Sequence, residues 1–360
     1  MIFYLVLSVM NKQDKLFMQR ALQLAGYGKA TVSPNPMVGC VIVLNGKIIG
    51  EGWHQKAGEP HAEVLAIRSV KEEELLKLAT AFVTLEPCAH YGKTPPCAEL
   101  LVEKQLKKVI IGALDPNPLV AGKGIEILRN AGIEVETAVS EEECLALNRA
   151  FFTFMEKKRP FIVLKWAQTS EGFIARENYD SKWISNPLSR QLVHKWRTEM
   201  DAILIGKKTA QYDNPQLTAR DWPGKNPVRI VIDHNLSLNE ELKIFDGEQK
   251  TILFHSKSQK LKNQGVEFVQ LDEMNFIDNM MNYLHKEKIQ SVLIEGGAQT
   301  LQSFIDAGLW DEARIFTSPV RFENGIKAAE LKNHQLVFQE NIQDKKQTDV
   351  LSIYYNSNPS

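Results

Sequence analysis

Residues 87–97 read PCAHYGKTPPC and hold two of the chain's four cysteines, Cys88 and Cys97, in one Pro-marked stretch. Upstream, HQKAGEPHAEV carries His61-Ala62-Glu63. One histidine and two cysteines supply three nitrogen and sulfur ligands and leave a tetrahedral position open, as in a catalytic zinc site. Two thiolates and a neutral imidazole balance the metal's charge, yet zinc still brings the pKa of a bound water to about 7. Glu63 is then not a ligand; its place suits a general acid/base that carries a proton from water to a leaving amine. Cys97 opens the helical stretch CAELLVEK, where the helix dipole favours a thiolate. These residues alone leave two other readings open: inert thiols beside a surface histidine, or a structural zinc closed by Cys40 or Cys144.

Working outward, strand-like and helix-like segments alternate. CVIVLNGKIIGEGW predicts a hairpin with Asn-Gly as its type I′ turn. HAEVLAIRSVKEEELLKLA has helical periodicity, and TAFVTLEPC is a buried strand running into a turn. CAELLVEKQLKK and GKGIEILRNAG predict helices; VIIGAL and IEVETAV predict strands. After a charged, Pro-ended joint, FFTFMEKKRP, a second series begins. It runs from the strand FIVLKWAQ through the helix SRQLVHKWRTEM to the strands DAILIG, RIVID and TILFHS. The helix NFIDNMMNYLHKEK, the strand SVLIEGG and the helix AQTLQSFIDAG close it. Two α/β domains are expected, at residues 10–152 and 158–360.

With 360 residues, the length fits two domains. A net charge of -1 excludes the strongly basic footprint of a nucleic-acid binder. Four cysteines make no disulfide framework, so a reducing, cytoplasmic compartment is expected. The apolar opening MIFYLVLSVM is too short to cross a bilayer and has no basic flank or cleavage site. Residues 1–9 are expected to be an extension, disordered or a start-site artefact, with Met10 as the start. The expected partners are small molecules and further copies of this chain, with no nucleic acid and no membrane.

His61-x-Glu63 followed by Pro-Cys is the order of zinc deaminases, but their usual two residues between cysteines become eight here. The insertion AHYGKTPP brings His90, Lys93 and Thr94 to the mouth of the pocket, suited to an anion such as a phosphate. Through VSPNPMVGCVIV, GWHQKAGEPHAEV and LEPCAHYGKTPPC the first half resembles the deaminase domain of the bifunctional riboflavin-biosynthesis deaminase-reductases. The resemblance implies a cytidine-deaminase-like three-layer α/β/α fold, zinc on His61, Cys88 and Cys97, and Glu63 as proton shuttle. It also implies Asn35, His90 and Lys93 as substrate contacts.

In the second half SVLIEGGAQTLQ places Glu295, Gly296 and Gly297 between a buried strand and a helix whose N-terminus can hold phosphate. No G-x-G-x-x-G is present. LKWAQTSEGFIA and SKWISNPLSRQLVHKWRTEMDAILIGKKTAQYDNPQLTAR resemble the family's reductase domain, which implies a dihydrofolate-reductase-like α/β fold. That resemblance implies Ser181, Arg197, Leu217 and Arg220 as contacts to the sugar phosphate and Glu295 to the pyrimidine. Lys165 and Asp213 would lie nearest the chemistry. Ala167, Trp183, Thr209, Asp213 and Gly296, with Gly297, Ala298, Gln299, Thr300, Leu301, Gln302 and Ser303, would contact the nicotinamide cofactor. That cofactor is expected to be NADPH, with NADH open because His234 and Asn235 replace the serine and arginine that would grip a 2′-phosphate.

The expected activity is hydrolytic deamination of 2,5-diamino-6-(5-phosphoribosylamino)pyrimidin-4(3H)-one, then reduction of its ribosyl group to ribityl. Two rivals are a polynucleotide deaminase with a non-catalytic second domain, and a zinc-stabilised nucleotide-binding protein. The long cysteine spacing and the missing basic stripe oppose the first; Glu63 opposes the second.

Overall fold

The computed structural model describes residues 12–91, 95–117, 120–258 and 265–360. The expectations for residues 1–9, Lys93 and Thr94 lie outside the described residues. The chain divides into two compact units, one ending at Glu156 and the other starting at Lys157. Among the described residues no helix is long and apolar enough to cross a membrane.

The first unit opens with α1 (Lys12–Gly26), whose Met18, Ala21, Leu24 and Ala25 are buried at helical spacing. The hairpin β1 (Gly39–Leu44) and β2 (Lys47–Trp53) turns on Asn45 and Gly46, both at positive φ, as a type I′ turn requires. There follow α2 (Ala62–Ser69), β3 (Thr80–Leu85), α3 (Cys97–Glu103), β4 (Lys108–Ala113), α4 (Lys123–Asn130), β5 (Glu134–Glu136), α5 (Glu141–Leu147) and α6 (Arg149–Lys157). The sheet order is β2-β1-β3-β4-β5, antiparallel from β2 to β3 and parallel from β3 to β5. One face packs Ile42, Val83 and Ile111 against α2, α3 and α4 through Ala66, Leu101 and Leu128. The other packs Val41, Phe82 and Ile110 against α1, α5 and α6 through Met18, Cys144 and Phe151. This is a three-layer α/β/α unit with its sheet covered on both sides.

Two expectations change here. The helix expected over residues 61–79 splits into α2 and a 3-10 turn at Glu73–Leu78. Ser69 Oγ donates to Ala66 O at 2.7 Å and accepts from Glu51 N at 2.8 Å, so its side chain ends the helix. The joint FFTFMEKKRP is largely helical: Phe151 and Phe154 are buried on α6.

The second unit runs β6 (Phe161–Gln168), β7 (Phe173–Ala175), α7 (Pro187–Glu199), β8 (Ala202–Gly206), α8 (Lys207–Asp213), β9 (Val228–Ile232), β10 (Thr251–His255) and β11 (Val266–Gln270). It ends with α9 (Phe276–Lys286), β12 (Ser291–Ile294), α10 (Ala298–Asp306), β13 (Glu312–Thr317), β14 (Ile326–Lys327), β15 (His334–Gln343) and β16 (Thr348–Asn356). Nine strands form one sheet in the order β11-β10-β9-β8-β12-β6-β13-β16-β15, while β14 pairs with β7. From β11 to β13 all neighbours are parallel, and β16 and β15 close the sheet antiparallel. Where both faces of a parallel strand are buried its sequence is a continuous apolar run, as in AILIG of β8, which has no exposed residue. A buried pair joins Arg159 Nη1 to Asp311 Oδ2 at 2.7 Å, and the same carboxylate accepts from Ile162 N, fixing the start of β6 beside β13.

Candidate active sites in the two units

In the first unit, His61 is the N-cap residue of α2, Glu63 lies in its first turn, and Cys97 follows the N-cap Pro96 of α3. Two helix N-termini therefore converge on the loop after β3 that carries Cys88. His61 Nδ1 lies 3.6 Å from Cys88 Sγ and 3.4 Å from Cys97 Sγ, and the backbone N–H of Cys97 donates to Cys88 Sγ at 3.3 Å. All three donor atoms lie within 4.8 Å of one another. Ligands at about 2.0 Å (nitrogen) and 2.3 Å (sulfur) from a tetrahedral zinc are themselves about 3.5 Å apart, so the donors fit that metal. Hydrogen bonding from Cys97 and His61 holds the Cys88 thiol well below its ordinary value, whereas Cys97, donating to it, is held up.

Glu63 is 2% exposed, and its Oε2 has no hydrogen-bond partner. Burial pushes its carboxyl up to about 7, with the Cys88 charge adding to the effect. A buried carboxylate oxygen left unsatisfied is costly unless something else meets it. Asn35 reaches the same neighbourhood: its Nδ2 lies 3.0 Å from His54 Nε2, and the His54 ring packs edge-on against His61 at 5.3 Å. If Asn35 donates, the His54 proton is on Nδ1, which is 3.2 Å from Pro60 O. Burial lowers the His54 pKa. His90 is exposed on the loop between the two cysteines.

Sequence reasoning missed Glu86 and Asp115. Glu86, two residues before Cys88, accepts from the backbone N–H groups of Asp115, Gly122, Gly124 and Ile125. It thereby anchors the start of α4 beside the site, with Gly124 so close that a Cβ would lie 2.2 Å from Pro87 O. Burial raises the Asp115 carboxyl to about 6, against its hydrogen bond from Asn117 N. A charged residue directly after the buried strand TAFVTL is the available signal for Glu86.

In the second unit a cavity of about 1310 Å³ opens where β6, β12, β8 and β9 end. It exceeds the usual single-ligand pocket of about 300–1,000 Å³ and has room for a cofactor and a substrate. Lys165 and Ala167 come from β6, and Ser181 and Trp183 from the loop before α7. Arg197 lines the wall from α7, Thr209 and Asp213 from α8, and Leu217 and Arg220 from the segment that follows. Glu295, Gly296, Gly297, Ala298, Gln299, Thr300 and Ser303 complete it from the β12–α10 turn. Two expected residues are not brought there: Leu301 is fully buried in the core, and Gln302 turns to Asp306 and the backbone of Glu330. Helical spacing carries both away from the face that Gly297 and Thr300 present.

The cavity floor is held by a two-pronged ion pair. Arg197 Nε and Nη2 donate to the two Glu295 oxygens at 2.8 Å each, and Arg197 Nη1 donates to Thr218 O at 2.9 Å. Burial would raise Glu295, but the Arg197 guanidinium brings it down to about 2. Burial lowers the Lys165 ammonium, and Glu295 offsets part of this. With its donors committed, Arg197 has little left for a phosphate, whereas the Arg220 side chain is 55% exposed and only loosely paired to Asp221 at 4.0 Å. Asp213 accepts from Ser181 Oγ at 3.0 Å, and burial raises its carboxyl. Gly206 must lack a side chain, since a Cβ would come within 2.2 Å of Thr300 Oγ1. Thr209 Oγ1 accepts from Gly297 N at 2.8 Å, tying α8 to the start of α10. Glycines at the mouth of α10, whose first-turn N–H groups have no partner within the helix, suit the phosphates of a nicotinamide dinucleotide.

Residues 11–113 match the cytidine and deoxycytidylate deaminase zinc-binding region, and residues 160–325 match the RibD C-terminal domain. The riboflavin biosynthesis protein RibD of Aquifex aeolicus is 43% identical over 324 residues, covering 88% of this chain and 90% of that protein. RibD of Escherichia coli is 38% identical over 327 residues, covering 85% and 88% respectively. A solved diaminohydroxyphosphoribosylaminopyrimidine deaminase/5-amino-6-(5-phosphoribosylamino)uracil reductase from Thermotoga maritima superposes with a TM-score of 0.88. It is 38% identical and covers 96% of this chain and 99% of its own. With a cytidine-deaminase-like zinc unit followed by a dihydrofolate-reductase-like unit, the chain belongs to the RibD family of bifunctional deaminase-reductases of riboflavin biosynthesis.

Proposed function

We propose that residues 10–152 hydrolytically deaminate 2,5-diamino-6-(5-phosphoribosylamino)pyrimidin-4(3H)-one, and that residues 158–360 reduce the ribosyl group of the product with NADPH. The final product is 5-amino-6-(5-phosphoribitylamino)uracil. The observation that carries this reading is the unpartnered, buried Oε2 of Glu63 beside a three-donor cluster of zinc geometry. A purely structural metal site has no use for such a carboxylate.

His61, Cys88 and Cys97 would hold zinc, which when bound supplies Lewis-acid activation of the water nucleophile. Glu63 takes a proton from that water and hands it to the exocyclic amine, which leaves as ammonia while oxygen takes its place on the ring. Asn35 orients the pyrimidine, and His90, exposed on the loop between the cysteines, contacts the phosphate, with Lys93 of the same insertion as a further substrate contact.

A nicotinamide dinucleotide, when bound in the second unit, would supply the hydride for reduction of the opened sugar, whose oxygen takes up a proton from solvent. Lys165 and Asp213 stand beside the reacting carbon, with Ser181 holding Asp213 in place. Glu295, kept ionised by Arg197, meets the pyrimidine, and Leu217 packs along it. Arg220, exposed and only loosely paired, is the guanidinium fork for the substrate phosphate. Ala167, Trp183, Thr209 and the β12–α10 turn hold the dinucleotide. We place the enzyme in the cytosol as an assembly of like chains, without nucleic-acid or membrane partners.

Glu63→Ala tests the carrying observation. Metal analysis should return one zinc per chain, as in the parent, while deamination falls by about 10² to 10⁴. Loss of zinc together with collapse of the fold would assign Glu63 to structure and overturn the mechanism.

A further inference from the structure

His194 is 5% exposed, yet it stands on the wall of the second-unit cavity, one helical turn before Arg197 on α7. Each of its ring nitrogens meets an acceptor: Nδ1 lies 3.0 Å from Thr218 O, and Nε2 lies 3.0 Å from Asp221 Oδ2. Burial, and after it Arg197, lowers the ring's pKa; Asp221 opposes this, and Arg220 adds to the lowering. At neutral pH the ring then has one proton for two acceptors. Thr218 O already accepts from Arg197 Nη1 at 2.9 Å, whereas the carboxylate offers the stronger, charge-assisted bond. This assigns the proton to Nε2, from which His194 donates to Asp221.

The same Asp221 oxygen lies 4.0 Å from Nε of the neighbouring Arg220, so one carboxylate stands between a histidine and an arginine and touches only the histidine. The side chains of Arg220 and Asp221 are both 55% exposed and have room to turn. Arg220 lines the cavity, and Asp221 does not. Resting on the reading that Arg220 receives the substrate phosphate, we propose that His194 is a positioning residue that tethers the Asp221 carboxylate away from Arg220. The guanidinium is thereby left for the phosphate. Without the tether, Asp221 closes onto Arg220 and sets a negative charge beside the place the phosphate must take. An exposed ion pair of this kind shifts an equilibrium by up to about fivefold, which sets the size of the effect. His194 acts through Arg220 and not on the reacting carbon, so the effect falls on substrate binding.

Steady-state reduction of the deaminated ribosyl phosphate by the full chain tests this. His194→Leu should raise KM about fivefold and leave kcat within about twofold. His194→Gln, whose amide N–H can stand in for the Nε2 proton, should keep the parental KM. Adding Asp221→Ala to His194→Leu should return KM to the parental value, which a general loosening of the cavity wall would not do. With the dephosphorylated substrate, His194→Leu and the parent should have equal KM values. A parental KM in His194→Leu, a rise that Asp221→Ala does not reverse, or a rise that persists without the phosphate overturns the tether. Arg220→Ala separates the two claims: an unchanged KM for the phosphorylated substrate would sink the phosphate reading itself, and the tether with it. Should His194→Leu fail to fold, His194→Phe, which keeps a ring without a donor, takes its place.

Discussion

Arg197→Met breaks the ion pair beneath the reductase cavity while keeping most of the side-chain volume. In the parent, two 2.8 Å donors and one guanidinium charge hold Glu295 at about 2 against its ordinary 4.5. That distance, at about 1.36 kcal/mol per pH unit, corresponds to about 3 kcal/mol of stability. Because the folded pKa is the lower one, the contribution is complete above the unfolded pKa of 4.5 and is lost as pH falls toward about 2. Removing Arg197 also leaves a buried carboxylate with Lys165 and His194 as the remaining groups that favour its charge. Breaking such a pair costs about 3–5 kcal/mol. For a unit of this size that lowers the melting temperature by roughly 6–20 °C. Calorimetry of the full chain at pH 7 and through the acid range reads both effects. The second-unit transition should drop at pH 7, its parental slope between pH 4.5 and 2 should disappear, and the first-unit transition should stay. A variant with the parental melting temperature and the parental acid slope would show that Arg197 does not hold Glu295.

Glu86→Ala deprives four backbone N–H groups of their acceptor and should cost the first unit about 2–3 kcal/mol; chemical denaturation reads it, and an unchanged midpoint would contradict the anchoring role. Gly206→Val drives a branched side chain into Thr300, so NADPH binding, followed by fluorescence, should be lost while deamination persists. With His234 and Asn235 lining the cavity and Glu273 and Asp278 nearby, a 2′-phosphate meets carboxylates at that end. NADH and NADPH should therefore bind within about tenfold of each other, and a hundredfold preference for NADPH would refute this.

The first-unit site is legible in sequence because its chemistry is local: His61 and Glu63 share one helix turn, and Cys88 and Cys97 flank one loop. The Asn45-Gly46 turn fixes its hairpin for the same reason, since few residues accept two positive φ angles in succession. Continuous apolar runs such as AILIG announce strands buried on both faces. What stayed hidden depends on distant partners. Arg197 and Glu295 are 98 residues apart, so nothing in either segment shows that the arginine is already committed. Glu86 likewise reaches residues 29 to 39 positions away. β13 and the β15–β16 hairpin were not expected at all: EARIFT has no clean alternation, and HQLVFQENIQ is exposed on both faces, so no burial pattern marks it as a strand. The helix over residues 61–79 was overextended because periodicity does not register Ser69 bonding back onto its own helix.

The central claim is that two chemistries run in sequence on one chain, the first needing zinc and the second needing the first's product. A coupled assay tests it most directly: the diaminopyrimidinone ribosyl phosphate and NADPH are added to parent protein and to Glu63→Ala, and NADPH absorbance is followed. The parent should oxidise NADPH; Glu63→Ala should do so only when the deaminated compound is supplied. Oxidation by Glu63→Ala at the parental rate with the diamino substrate would contradict the account.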